Sequence, residues 1–147
     1  VLDVGCGIMN PTTDLICKSI LGVDMYKPYL EKIKEKHQTI RLNAKELKHF
    51  INNSYDVVIA LDLIEHLHKN DAIKLLLNMR RIARKHAIIF TPKSFHTNEE
   101  NTKNVWDMGK NTLQRHQCLV TKPELGKYGF VRVKTASYPN MVLAIST

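Results

Sequence analysis

Two glycines one residue apart, a carboxylate about twenty residues further on, and histidines in the second half of the chain are the residues whose types and spacing can do chemistry. Gly5 and Gly7 stand directly after the apolar run Val1-Leu2-Asp3-Val4, and Asn10-Pro11 follows. A short buried strand that ends in a glycine turn leaves room for a ligand to approach the main chain. Asn10 then reads as an N-cap and Pro11 as the first helical residue. Strand, turn and helix start together make a nucleotide cradle, in which free N–H groups and the positive end of a helix dipole face the ligand. Asp24 closes the next apolar stretch, Ser19-Ile20-Leu21-Gly22-Val23. In a doubly wound sheet a carboxylate at this place accepts hydrogen bonds from ribose hydroxyls. The competing reading is a cap on the helix near Pro28, and the two roles are compatible.

The elements that must hold these residues follow from periodicity. A short helix over 11–19 leads into a strand over 19–24. A helix over 28–37 turns Leu30 and Ile33 inward and Glu31, Lys34 and Glu35 outward. A third strand spans 39–42. Asn43, with Glu46 three residues later, starts a helix over 44–51, a cap role that competes with a ligand role. Tyr55–Leu61 is a near-continuous apolar run, as expected of a strand buried on both faces of a parallel sheet, and Asp62 lies just past its end. Ala72, Leu75, Leu76, Met79, Ile82 and Ala83 form one stripe of a helix over 70–85. A buried strand over 87–90 ends at Thr91-Pro92.

Residues 93–118 lose periodicity and turn polar, with His96, Glu99, Glu100, Asn101 and Asn104 among them. A loop of this length in a compact domain is usually functional or mobile. Thr121 reads as the N-cap of a further helix, Phe130–Thr135 alternates like a strand, and Ser137–Asn140 turns into a last strand over 141–145. The expected architecture is α/β: a doubly wound, mostly parallel seven-stranded sheet with a C-terminal antiparallel hairpin, in a single domain over 1–147. Gly5, Gly7, Asp24, Asn43, Asp62 and Thr91 all fall at carboxyl ends of strands. They therefore meet on the one edge where such sheets bind ligands.

Bulk properties narrow the class. The 147 residues suit one sizeable core, and 44% hydrophobic with 24% charged residues is ordinary for a globular chain. No apolar run approaches a membrane span, and no signal peptide is visible. The odd number of cysteines, Cys6, Cys17 and Cys118, argues against a disulfide framework and for a reducing, cytoplasmic setting. The net charge of +8 reads as solvated lysine-bearing helix faces, because no nucleic-acid-binding motif or basic block accompanies it. The chain begins with Val already in a strand, so a further N-terminal segment is expected upstream.

In order, Val1–Gly7, Gly22-Val23-Asp24, Tyr55–Leu61 with Asp62–Leu67, and Phe90-Thr91-Pro92 resemble the successive motifs of class I S-adenosylmethionine-dependent methyltransferases. Asp62-Leu63-Ile64-Glu65-His66-Leu67 resembles the post-strand motif of the small-molecule-type, type 11-like branch. Gln114-Arg115-His116 with Thr121 and Glu124-Leu125 resembles that branch's segment before the sixth strand. The resemblance covers nearly the whole chain and implies S-adenosylmethionine as cofactor. It implies that Gly5 and Gly7 pass close to the methionine part and that Asp3 lies beneath, ordering the turn or reaching the amino group. It places Asp24 on the ribose, Met25 on the adenine face, Asn43 and Ala44 near the adenine amino group, and Leu61 and Asp62 beside the sulfonium. Glu65 and His66 would lie near the transfer site or brace it. Two departures stand out: Ile8-Met9-Asn10 replaces the family's third glycine, and Asn43 replaces its adenine carboxylate.

Methyl transfer is an in-line displacement in which the protein mainly orients and desolvates the reactants. Where the acceptor must lose a proton, His66 and His116 are the candidate bases. Arg115 can meet an anionic acceptor group, and Trp106 can stack on an acceptor. His66-x-His68 lacks a Cys or carboxylate at ligand spacing, so no metal site is expected. A small-molecule acceptor is expected, with RNA or protein acceptors as the alternatives. A dinucleotide oxidoreductase using NAD would need the third glycine of G-x-G-x-x-G. A binding module without turnover is the other rival.

Overall fold

The structure, a computed structural model, describes residues 1–9, 11–98, 106, 108, 110–134 and 137–147. The expected cap at Asn10, the polar Glu99, Glu100, Asn101 and Asn104, and the strand end at Thr135 lie outside the described residues. Seven strands form one sheet: β1 (Leu2–Val4), β2 (Leu21–Asp24), β3 (Gln38–Arg41), β4 (Tyr55–Leu61), β5 (Ala83–Pro92), β6 (Phe130–Val133) and β7 (Met141–Ser146). Their order is β3-β2-β1-β4-β5-β7-β6. The first five pair in parallel, and β7 runs antiparallel to both β5 and β6. This is the expected doubly wound sheet with its C-terminal hairpin.

Strand β1 lies at the point where the order reverses, between β2 and β4, and all three of its residues are buried. An apolar run that begins the sheet at its centre has neighbours on both edges and layers on both faces, which is why Leu2 and Val4 are wholly inaccessible. Among the described residues, three α-helices accompany the sheet: α1 (Lys27–Ile33), α2 (Lys69–Ile82) and α3 (Lys122–Lys127). The α2 stripe Ala72, Leu75, Leu76, Met79 and Ile82 is buried against the sheet as the periodicity requires. Asp71 in its first turn and Arg80 and Arg81 in its last complement the helix dipole. Arg81 also donates to the carbonyls of Leu47 (2.9 Å) and Phe50 (2.7 Å) and to Asn52 Oδ1 (2.6 Å). Arg81 thus ties α2 to the end of the 3-10 segment Ala44–His49, where the Leu47 carbonyl also accepts from Phe50 N at 3.0 Å.

Four expectations are corrected. The helix over 11–19 shrinks to one 3-10 turn, Thr12–Asp14, with Pro11 outside it. Nine residues with two Thr, an Asp and a Ser among them cannot sustain an isolated helix without an apolar face to bury, and here Leu15 and Ile16 are exposed. The segment over 44–51 is 3-10 rather than α-helical, though Asn43 does cap it by accepting from Lys45 N at 3.0 Å. Helix α1 stops at Ile33, short of 37. Helix α2 stops at Ile82, and β5 begins with no loop at Ala83. Ala83 continues the helical stripe in sequence, but its backbone pairs with Tyr55 across a register irregularity. Arg84 and Lys85 there meet Asp56 at 3.0 and 3.7 Å. Tertiary pairing overrides the local period.

Candidate functional site

The turn after β1 is held in the left-handed region at both glycines, with φ of +70° at Gly5 and +53° at Gly7. Neither position suits a side chain, for steric as well as conformational reasons. A Cβ on Gly5 would fall 2.7 Å from Leu63 Cδ1, and one on Gly7 would fall 2.6 Å from the ring of Trp106. The turn's N–H groups have partners within the protein. Gly5 N and Cys6 N both donate to the carbonyl of Val23, at 2.8 and 3.1 Å, and Gly7 N donates to Asp24 Oδ2 at 2.9 Å. The other carboxylate oxygen of Asp24 accepts from Tyr26 N at 2.7 Å. Asp24 therefore does not cap α1, whose N-cap is Tyr26; it fastens the glycine turn to the end of β2. Each of its oxygens keeps a further lone pair for a ligand. Burial raises its pKa, and the N–H groups of Tyr26, Gly7 and Met25 pull it back down. The helix dipole expected to face the ligand is missing, because the turn leads only to Thr12–Asp14. Thr12 instead donates its hydroxyl to Asp3 Oδ2 at 2.6 Å. Asp3 is buried, and its pKa is pushed up to about 6.

The carboxyl ends of β4 and β5 carry a second group of polar residues. After β4 the chain turns sharply at Asp62, a non-glycine residue with φ of +48°, and makes a 3-10 turn over Ile64–His66. That turn drives Glu65 inward to 4% exposure. Thr91 in β5, itself 1% exposed, donates its hydroxyl to Glu65 Oε2 at 3.0 Å. Burial, with nearby Asp62, pushes the Glu65 carboxyl up to about 7. Burial and the neighbouring His116 push His66 down to about 4, so its imidazole is neutral at physiological pH. His66 Nδ1 is a buried nitrogen without a hydrogen-bond partner.

His116 arrives from fifty residues away in sequence. Gln117 N and Cys118 N both donate to the Glu65 carbonyl, at 2.7 and 3.2 Å, and the Gln117 side chain donates to the His66 carbonyl at 2.6 Å. Asn98 braces the same segment: its Nδ2 donates to Gln114 O at 2.6 Å and its Oδ1 accepts from His116 N at 2.8 Å. The rings of His66 and His116 end 5.0 Å apart, centre to centre. His116 Nδ1 lies 2.8 Å from the carbonyl of His96. A carbonyl only accepts, so Nδ1 carries a proton, and in the neutral form of the ring the lone pair is on Nε2.

One cavity of about 1080 Å³ runs from the glycine turn to this second group. Asp3, Gly5, Gly7, Asp24, Met25 and Asn43 line one part of it. Ala44, Leu61, Asp62, His66, Trp106 and His116 line it as well. Arg115 is not on its wall. Trp106 lies against Gly7 and edge-on to Tyr29, with ring centres 4.8 Å apart. Its ring thus stands beside the glycine turn. Sequence reasoning missed the Thr12–Asp3 and Thr91–Glu65 bonds and the approach of Trp106 to Gly7. Only Thr91, at a strand's carboxyl end, carried a usable signal.

The comparisons with known proteins agree with this geometry. The model of the methyltransferase domain family matches residues 2–91, more than half of the chain. This chain belongs to that family. The resemblance of its motifs and the family match therefore point the same way. Among solved structures, a SAM-dependent methyltransferase from Archaeoglobus fulgidus superposes with a TM-score of 0.68 at 16% identity, over 99% of this chain and 85% of that one. The magnesium protoporphyrin IX methyltransferase of Synechocystis PCC 6803, solved with bound SAH, gives 0.64 at 16% identity, over 98% and 71%. The putative methyltransferase of Haloferax volcanii in complex with the Trm112 methyltransferase activator gives 0.67 at 12%, over 98% and 80%. At such identities the likeness is one of fold. No match was found among curated proteins. Residues 92–147 of the chain, which include His116, Arg115 and Trp106, lie beyond the family match. No helix among the described residues is long and apolar enough to cross a membrane.

Proposed function

We propose that the chain transfers a methyl group from S-adenosylmethionine to a small-molecule acceptor. The observation that carries this reading is the fastening of Gly7 to Asp24 at the mouth of a cavity that continues to the end of β4. S-adenosylmethionine, when bound, supplies an activated methyl group on a sulfonium. Asp24 takes the ribose hydroxyls on its remaining lone pairs, and Met25, 41% exposed, covers the adenine. Asn43 uses its side-chain oxygen to cap the following turn, so recognition of the adenine amino group falls partly to the backbone at Ala44. Gly5 and Gly7 admit the methionine part above Asp3, while Leu61 and Asp62 flank the reacting end.

A cavity of about 1080 Å³ is at the upper end for small-ligand sites, which favours a cofactor and a small acceptor side by side over a polymer. Where a proton must leave the acceptor, His116 is the better placed of the two histidines, because its tautomer is fixed with Nε2 free. Calorimetric titration with S-adenosylmethionine, S-adenosylhomocysteine and NAD tests the reading. Binding of the first two alone supports it, NAD alone replaces it with the oxidoreductase, and no binding by a folded chain leaves the module without turnover.

A further inference from the structure

Glu65, His66 and His116 each bring one ligand atom to within 4.8 Å of the others, at the wall of the cavity. From this convergence we propose that the three residues form a binding site for a single divalent transition-metal ion. The sequence argued the opposite, since His66-x-His68 lacks a third ligand at metal spacing. The third ligand here is His116, and the partner that completes the set is Glu65, the residue before His66.

Three features support a metal site over a plain polar cluster. His66 Nδ1 is a buried ring nitrogen with no hydrogen-bond partner, which is costly unless something occupies it. His116 donates from Nδ1 to a main-chain carbonyl at 2.8 Å, the outer-shell bond that fixes the tautomer and orientation of a metal-binding histidine. Glu65 is braced on one oxygen by Thr91 at 3.0 Å, which leaves the carboxylate oriented and its second oxygen for an ion. A divalent charge also offsets the burial of the carboxylate.

Two histidines and one carboxylate suit Zn²⁺, Mn²⁺ or Fe²⁺, with the remaining positions open to the cavity. Metal–ligand bonds of about 2.0–2.2 Å require the three side chains to close by roughly 1 Å from their present spread. In the proposed methyl transfer, the open positions would hold an acceptor oxygen or nitrogen beside the methyl donor. That role rests on the methyltransferase reading and, with His116 Nε2 bound to the ion, takes the place of His116 as a base, whereas the metal site rests on its own geometry.

The test is titration of the metal-stripped full chain with Zn²⁺ and with Mn²⁺ alone. The expected result is one equivalent per chain, with affinity falling at least about tenfold in His66→Ala, His116→Ala and Glu65→Gln and unchanged in His68→Ala. Binding that survives these substitutions, or is lost only with His68, would overturn the site, as would the absence of stoichiometric binding. Because a substitution of buried Glu65 or His66 can unfold the chain, Co²⁺ is also added to the unaltered protein. Selective paramagnetic broadening of the His66 and His116 ring resonances supports the site, and broadening of other histidines alone refutes it. Titration of the same stripped protein with S-adenosylhomocysteine reports separately on the methyl-transfer reading.

Discussion

The two ends of the cavity are built in opposite ways. At the glycine turn, every described N–H from Gly5 to Gly7 has a protein acceptor, and those acceptors, Val23 and Asp24, are within twenty residues of the turn. At the β4–β5 end, the buried Glu65 carboxyl stands beside a half-buried imidazole, His66, whose Nδ1 has no partner, and a second imidazole, His116, joins them from a segment fifty residues away. The first end is finished by its own backbone. The second is left with capacity to bind something. A fold can hold a cofactor with a generic, self-satisfied turn, whereas the chemistry specific to one acceptor needs groups whose demands the protein does not meet itself.

The largest break in that contrast should come from the turn. Gly5→Val and Gly7→Val place a β-branched residue at φ of +70° and +53° and push a Cβ into Leu63 or Trp106. The backbone strain alone is about 1–2 kcal/mol, and the blocked space adds to it. Binding of S-adenosylmethionine should fall at least about a hundredfold by calorimetry, about 2.7 kcal/mol on the affinity scale. Retained binding would put the cofactor elsewhere.

A pH experiment sharpens the same end. Asp3 ionises at about 6 in the folded chain against 3.8 for a free carboxyl. Below about pH 4 both states are protonated, and Asp3's contribution to stability is fully present. As pH rises through about 6, the unfolded state has released a proton that the folded state still holds, so that contribution is lost. The loss is at most about 3 kcal/mol. Urea unfolding of the wild type and Asp3→Asn at about pH 4 and about pH 7 should show the wild type losing more stability than the variant between the two. Equal losses would mean that Asp3 is not held protonated by burial.

Asp24→Ala removes the acceptor of both Gly7 and Tyr26. It should weaken cofactor binding by about 1–3 kcal/mol, with Asp24→Asn less affected because its amide keeps one accepting oxygen. Unchanged affinity would remove the ribose role. At the other end, Thr91→Val leaves Glu65 without its hydroxyl donor. Stability should drop by about 1 kcal/mol in chemical denaturation, with cofactor affinity unchanged. A loss of affinity instead would show that the two ends are coupled.

This difference also explains what could be read in advance. The strands β1, β2 and β4 and the α2 stripe were legible because their signals are local: an apolar run, a glycine turn, a period near 3.6. Asp24 was legible as a strand-end carboxylate at a suggestive spacing, although its hold on Gly7 was not. The 3-10 turn at Thr12–Asp14 was misread because Asn-Pro looks the same before one turn as before three. Ala83 was misread because an alanine fits a helix stripe and a strand edge equally well. Glu65, His66 and His116 were each singled out in the sequence, but their convergence into one cluster was not legible. Residue types announce such a set only when the chain brings them together within a few positions, and here a sheet and a braced loop do the bringing.

The smallest expected effect is optical, and it asks directly whether the cradle is where a ligand goes. Trp106 is the chain's single tryptophan, and its ring packs against Gly7 and edge-on to Tyr29. A cofactor entering between the glycine turn and Asp24 must change the surroundings of that ring, while a ligand held only at the β4–β5 end need not. S-adenosylhomocysteine should therefore alter Trp106 emission with a saturation curve that matches its calorimetric affinity. Zn²⁺ added alone should leave the emission nearly unchanged. A metal-induced change as large as that from S-adenosylhomocysteine would mean that the two ends respond as one unit, and the contrast between a self-satisfied cradle and an unsatisfied far end would have to be given up.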